Sequence, residues 1–262
     1  MNYLTYLKNK NLSKITIKIY LKNSNKWLDF LNNRSATKTL FSKFIKMHLK
    51  KLSSNSIRLL YSSILSFLKY QKKWKLVNEC KDIKLPTCVQ YNKTVITLEE
   101  YSSINIDILN ETWMNYRDWL IFSFLFFTGI RACELNQIKK SNIINNKLLI
   151  SGKSNKTRII FIPDLLNKLL KAWKNDYINV SKKNKKLTHK QLNIIIKRIG
   201  MKYFSKNISC HSLRRSYATN LLRKNVDIKT VSTFLGHSNI NTTSRYIQLT
   251  TDEMVEKIKS VF

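Results

Sequence analysis

In the stretch CHSLRRSYATN, from Cys210 to Asn220, a histidine and an arginine stand three residues apart and a second arginine follows directly. On a helix His211 and Arg214 share one face, while Leu213, Tyr217 and Leu221 line another. Such a pair suits an anion, because a guanidinium forks onto two phosphate oxygens and an imidazole beside it donates to a third. Arg215 points elsewhere, and its position favours a surface contact. Three other segments carry side chains of the same kind. In TGIRACEL, Gly129 ends an apolar run, so that Arg131 emerges at the edge of a core with Glu134 three residues on. In GKSNKTR, Lys153 and Lys156 occupy a turn, where an ammonium can reach into a site and withdraw, and Arg158 follows as a further cation. In LGHSNINTTSRYIQ, Gly236 ends a helix, His237 follows, and Tyr246 comes nine residues later, directly after Arg245. Taken singly, each has an ordinary explanation: a helix-capping arginine, a lysine-rich turn, a space-filling tyrosine.

The elements that position these residues are mainly helical. Only four glycines and two prolines interrupt the chain, and long stretches of helical period lie between them. Helices are expected at about 13–32, 37–50 and 53–73, each opening near a Ser or Thr able to cap it. Ile15, Ile19, Trp27, Leu28 and Leu31 supply an apolar stripe on the first of these. The segment KDIKLPTCVQYNK breaks the period at Pro86, which predicts a helical domain at 1–85, a linker at 86–93 and a second domain at 94–262. Thr97 and Glu100 have capping-box spacing at the start of that second domain. Trp119–Phe127 is an apolar run of nine residues, too short for the roughly 20 that span a membrane, and reads as a buried helix. Leu148–Ile150 and Ile159–Ile162 flank the Gly152 turn as a β-hairpin, and helices resume at 164–175 and 188–203. The lysine-rich 181–190 reads as a solvated loop. Met254, Val255, Ile258 and Val261 stand near helical spacing in a terminal segment too short to fold alone, a tail helix expected to dock on a protein surface.

The chain has 48 Lys+Arg against 15 Asp+Glu, a net charge of +33 in 262 residues, which concentrates polyanions at the surface. Residues 1–93 carry +17 and 94–262 carry +16, so the charge suits two halves clamping a duplex better than a basic tail. The four cysteines, at 80, 88, 133 and 210, form no CxxC pair. Neither a metal site nor a disulfide framework is expected, and a reducing cytoplasm fits. No apolar signal core opens the chain.

TGIRACEL, GKSNKTR, HSLRRSYATNLL and LGHSNINTTSRYI, in this order, resemble the motifs of the tyrosine recombinase (phage integrase) family, closest to its compact Xer-like members. The resemblance is strong over roughly 94–250, and LSKITIKIYLKNSNKWLDFL is similar in pattern to the opening helix of the family's core-binding domain. It implies a mainly α fold with a small β-sheet: a helical core-binding domain and a catalytic domain that together clamp DNA. It makes Arg131 and Arg214 the arginine pair, Lys153 the hairpin lysine, His211 and His237 the histidines, Tyr246 the nucleophile and Glu134 a supporting acid. Lys156, Arg158, Arg215 and Arg245 are then candidate DNA contacts. The implied activity is strand cleavage and rejoining through a 3′-phosphotyrosine, with no cofactor, metal or ATP. The implied partners are a specific site on double-stranded DNA and further copies of the chain, as a tetramer on paired sites, in the cytoplasm of the source or host cell and away from membranes. With 16 residues after Tyr246, no additional arm-binding domain is expected. A type IB topoisomerase has a similar fold and chemistry, but usually a lysine where His211 stands. A non-catalytic architectural DNA-binding protein is the reading from another class, and the presence of all six catalytic residue types weighs against it.

Overall fold

Short polar side chains set where the helices of the first half begin. Asn2, Ser13, Thr37 and Ser53 each accept a hydrogen bond from the backbone N–H three residues ahead, opening α1 (Tyr3–Asn9), α2 (Lys14–Leu31), α3 (Lys38–Leu49) and α4 (Ser54–Tyr70). A short α5 (Trp74–Glu79) and a 3₁₀ turn at Cys80–Asp82 follow. The computed structural model describes residues 2–87, 94–104, 107, 111–151 and 157–236. These belong to two compact units, Met1–Tyr91 and Asn92–Phe262.

In the first unit α2 packs along α4, and Trp27, Phe41 and Phe44 meet edge to face in a core that excludes water from Leu7, Ile57, Ile64 and Leu68. The expected stripe on α2 is only partly right. Trp27 and Leu31 are buried, but Ile15 is 75% exposed and Leu28 44%, and Ile17 faces inward in their place. The facing helix selects the row through Ile17, Trp27 and Leu31; the sequence offers two adjacent apolar rows and does not choose. α1 and α5, at seven and six residues, were not expected, being too short to display a period.

The second unit opens at α6 (Leu98–Ser102), whose capping box joins Thr97 and Glu100 in both directions. At its centre lies α7 (Trp113–Thr128), buried over most of its circumference as its apolar composition predicts. The short α8 (Ala132–Leu135) follows, then an antiparallel sheet in the order β1 (Ile143–Ile144), β2 (Lys147–Ser151) and β3 (Thr157–Phe161). Leu149 pairs with Ile159 and Ser151 with Thr157, so the hairpin is where alternation placed it, with β1 as an added edge. α9 (Asp164–Ala172), α10 (His189–Phe204), α11 (Cys210–Arg223) and α12 (Ile228–Leu235) complete the described chain. Polar residues of α11 tie down the segment that enters this unit: Ser216 Oγ accepts from Ile96 N–H at 2.9 Å, and Asn220 Nδ2 donates to Ile96 O at 3.1 Å. The tail with Met254, Val255, Ile258 and Val261 lies outside the described residues.

α7 ends at Gly129, whose φ of +59° is left-handed and where a Cβ would sit 2.4 Å from the Tyr217 ring. That glycine both stops the helix and lets α11 approach. Gly129→Ala should therefore cost about 2–4 kcal/mol, from αL strain and overpacking together. Urea unfolding followed by tryptophan fluorescence measures it; a variant as stable as the parent would mean that the close approach relaxes freely.

Candidate functional site

The site is built around the C-terminal ends of two helices. α7 ends at Gly129 and α12 at Gly236, each in the left-handed conformation that exposes the last carbonyls. Arg214, from the buried side of α11, reaches both ends: Nη1 donates to Gly129 O at 2.7 Å and Nη2 to Leu235 O at 2.6 Å. Arg131 lies two residues beyond the first of these ends and donates from Nη2 to Gly236 O at 3.0 Å. Two guanidiniums distant in sequence thus converge on consecutive carbonyls. Arg214 is 3% exposed, while the Arg131 side chain keeps 39% of its surface open.

Glu134 holds Arg131 in this position. Its Oε2 accepts from Arg131 N–H at 2.8 Å and its Oε1 from Arg131 Nη1 at 2.9 Å. Arg158, arriving on β3, donates to the same two oxygens, Nη1 to Oε1 at 3.2 Å and Nη2 to Oε2 at 2.6 Å. Burial pushes the Glu134 carboxyl up, but the hydrogen bonds and charge of Arg158 and Arg131 outweigh it and hold the group below the ordinary carboxylate value. Tyr217 packs its ring on Gly129; burial raises its phenol, and the nearby Arg158 charge pulls against that.

The structure thus brings Arg131, Glu134 and Arg214 together as the motif order suggested. His211 sits exposed in the first turn of α11, which Ser209 caps, three residues before Arg214. Two expectations change. Arg158, expected as a DNA contact, has a side chain only 8% exposed and engages Glu134. Arg215, expected at the surface, is 6% exposed, because α11 is enclosed on nearly every side and one step round the helix from Arg214 still faces protein. A signal for Arg158 was present in the strand pattern: alternation puts it on the face of the buried Ile160, opposite the exposed Thr157, Ile159 and Phe161. The carbonyls of Gly129, Leu235 and Gly236 carried no such signal. Lys153, Lys156, His237, Arg245 and Tyr246 lie outside the described residues. Among the described residues no three His, Cys, Asp or Glu side chains gather as a metal site, and no helix is long and apolar enough to cross a membrane.

A family model described as the phage integrase family matches residues 94–253. A tyrosine recombinase of Thermosipho africanus is 30% identical over 283 residues, covering 99% of this chain and 97% of that protein. The tyrosine recombinase XerA of Pyrococcus horikoshii is 29% identical, covering 98% of this chain and 91% of that protein. Among solved structures, XerH site-specific recombinase bound to difH substrate superposes with a TM-score of 0.69 at 22% identity, over 95% of this chain and 80% of that one. A lambda integrase dimer bound to a COC′ core site gives 0.71 at 17% identity, over 93% of this chain and 92% of that one. These likenesses establish the mainly helical fold with its small antiparallel sheet.

The Glu134 carboxylate also predicts an acid response. Its folded value is depressed, so its contribution to stability is fully present above the unfolded value near about 4.3 and is lost as pH falls through the folded one. Glu134→Gln should remove that component of the acid limb, seen as a flatter urea midpoint between about pH 5 and 3. Glu134→Ala should cost about 3–5 kcal/mol at neutral pH, because it leaves Arg158 buried without its anion. An unchanged acid limb in Glu134→Gln would show that the carboxylate is not held ionised by the two arginines.

Proposed function

This chain belongs to the phage integrase family and is a tyrosine recombinase; from that premise we propose that it cleaves and rejoins double-stranded DNA at a specific site through a 3′-phosphotyrosine intermediate. The observation that carries the reading is the convergence of Arg131 and Arg214 on the Leu235 and Gly236 carbonyls. The chain that leaves Gly236 carries His237 and Tyr246, so the two cations stand where the segment bearing the nucleophile begins.

In this scheme Arg131 and Arg214 meet the negative charge on the non-bridging oxygens of the scissile phosphate, the kind of fixed charge compensation on which phosphoryl transfer chiefly depends. The Tyr246 oxygen attacks phosphorus, a P–O bond forms to the phenol, and the bond to the 5′-oxygen breaks. His211 takes the phenolic proton, and Lys153 gives a proton to the departing 5′-oxygen. His237 contributes a further hydrogen bond at the phosphate. The phosphotyrosine preserves a phosphodiester linkage, so a 5′-hydroxyl can attack it in the reverse sense and rejoin a strand with no external energy source. The domain scheme that accompanies this is a core-binding domain at 1–85, a linker at 86–93 and a catalytic domain at 94–262 ending in a tail helix. The protein would act as a tetramer on paired sites in the cytoplasm, with Lys156 and Arg245 at the DNA.

Two measurements test the scheme. Sheared genomic DNA of the source organism, incubated with the protein and stopped in denaturant, should yield a covalent adduct whose mapped end defines the cleavage site. Tyr246→Phe should abolish that adduct and leave binding nearly intact, and EDTA should not matter. An adduct surviving in Tyr246→Phe would reassign the nucleophile. Tyr217 on Gly129 and Tyr203 edge-on to Trp119 at 5.6 Å are already engaged in packing.

The second measurement assigns the acid. On the mapped site Lys153→Ala should cleave ordinary DNA about 10²–10⁴-fold more slowly. It should cleave a 5′-bridging phosphorothiolate at near the parent rate, since sulfur leaves without a proton. Rescue of Lys156→Ala instead would move the acid three residues along the turn.

A further inference from the structure

The Glu134 carboxylate is fully committed. Each of its oxygens accepts one hydrogen bond from Arg131 and one from Arg158, so its four lone-pair positions are divided equally between the two residues. The pair of cations around one anion leaves a local excess of one positive charge. Arg131, the more exposed of the two, lies on the open side.

Arg158 also closes a ring. Its guanidinium lies against Gly236, where an added Cβ would stand 3.1 Å from Arg158 Nη1 and 3.2 Å from its Cδ, and Gly236 O in turn accepts from Arg131 Nη2. β3, α8 and the end of α12 therefore meet through Arg158, Glu134, Arg131 and Gly236. This placement is not optimal for stability. Arg158 Nε is buried with no acceptor among the described residues, a cost that calls for an explanation other than packing.

We infer that Arg158 is a positioning residue for the phosphate-binding arginine: by occupying half of the Glu134 carboxylate, it keeps Arg131 anchored while leaving its charge available to the DNA phosphate. The inference rests on the recombinase reading above. With Arg158 gone, the carboxylate is released to turn onto the Arg131 fork as a closed bidentate pair, the geometry most favourable to both. Arg131 is then neutralised and drawn from the phosphate. Lysine at 158 restores the charge but not the fork, and is expected to act only in part.

The test is single-turnover cleavage by the full-length protein of duplexes carrying the mapped site in three versions: the natural phosphodiester, a methylphosphonate and a 5′-bridging phosphorothiolate. A methylphosphonate replaces one non-bridging oxygen with a methyl group and so removes the charge that Arg131 meets. Arg158→Met should slow phosphodiester cleavage by about 10²-fold, the scale on which misplacement of a reacting geometry is felt, and Arg158→Lys by about tenfold. Both losses should shrink to within about threefold on the methylphosphonate and persist on the phosphorothiolate, as fits a role in charge compensation.

Losses of equal size on all three substrates would assign Arg158 to the fold alone and overturn the inference. Rescue by sulfur would overturn it by placing the residue on the leaving-group side, with Lys153. If thermal melting shows Arg158→Met to be unfolded, Arg158→Lys decides the matter on the same substrates. Failure of the parent protein to form any adduct would sink the recombinase reading itself, a result distinct from a parent that cleaves and an Arg158 series without the methylphosphonate effect.

Discussion

A carboxylate stays ionised inside a protein only where its charge and its lone pairs are met. The arrangement of the second unit around Arg131 follows from meeting that demand at Glu134. Satisfying it brings Arg158 in from β3, fixes Arg131 at the start of α8, and sets both beside the end of α12. Hydrophobic burial around α7 draws these elements together without specifying their register, since apolar contact has no direction. The four hydrogen bonds to one carboxylate have direction, and they select a single arrangement of strand, turn and helix end.

The second organising fact is the scarcity of acids. With 15 acidic side chains for 48 basic ones, most cations have no carboxylate to pair with, and backbone carbonyls take that place. Arg214 caps the ends of α7 and α12, Arg34 donates to Leu31 O and Phe30 O at the end of α2, and Arg58 forks onto Pro86 O. Lys140 does the same at Trp173 O, while Lys206 has both a carbonyl, Val95 O, and the Glu100 carboxylate. Helix C-termini carry unsatisfied carbonyls and partial negative charge, so they are natural anchors for guanidiniums. At Arg131 and Arg214 the contacts that cap two helix ends also hold both cations in a fixed orientation.

Much of this was legible in the chain. The capping residues Ser13, Thr37, Ser53 and Thr97 marked helix starts that the structure contains, and the run from Trp119 to Phe127 announced the buried α7. Alternation in Leu148–Ile150 and Ile159–Ile162 located the hairpin. The order of Arg131, Glu134, His211 and Arg214 among glycines and apolar runs pointed to the family whose model matches residues 94–253. Two of the misreadings were choices among equivalent faces. Ile15 and Ile17 are both apolar, and only the approach of α4 makes Ile17 the buried one. Arg214 and Arg215 are both cations on one helix, and only the enclosure of α11 puts both inside.

By itself, then, the sequence determined the element types, the overall charge and the inventory of reactive side chains. These depend on neighbours within a turn or two: a cap three residues from its N–H, a period of two or of 3.6, a glycine where the backbone turns left-handed. Tertiary structure alone decided that Glu134 serves two arginines, that Arg158 is an internal partner instead of a surface cation, and that Arg131 and Arg214 share adjacent carbonyls of a helix more than 20 residues beyond the nearer of them. Apart from the local Arg131–Glu134 pair, three residues apart, those are contacts between groups 21 to 105 residues apart. Taking a charge and a carbonyl out of water is costly unless the two meet, and whether they meet cannot be read until the distant segment has arrived.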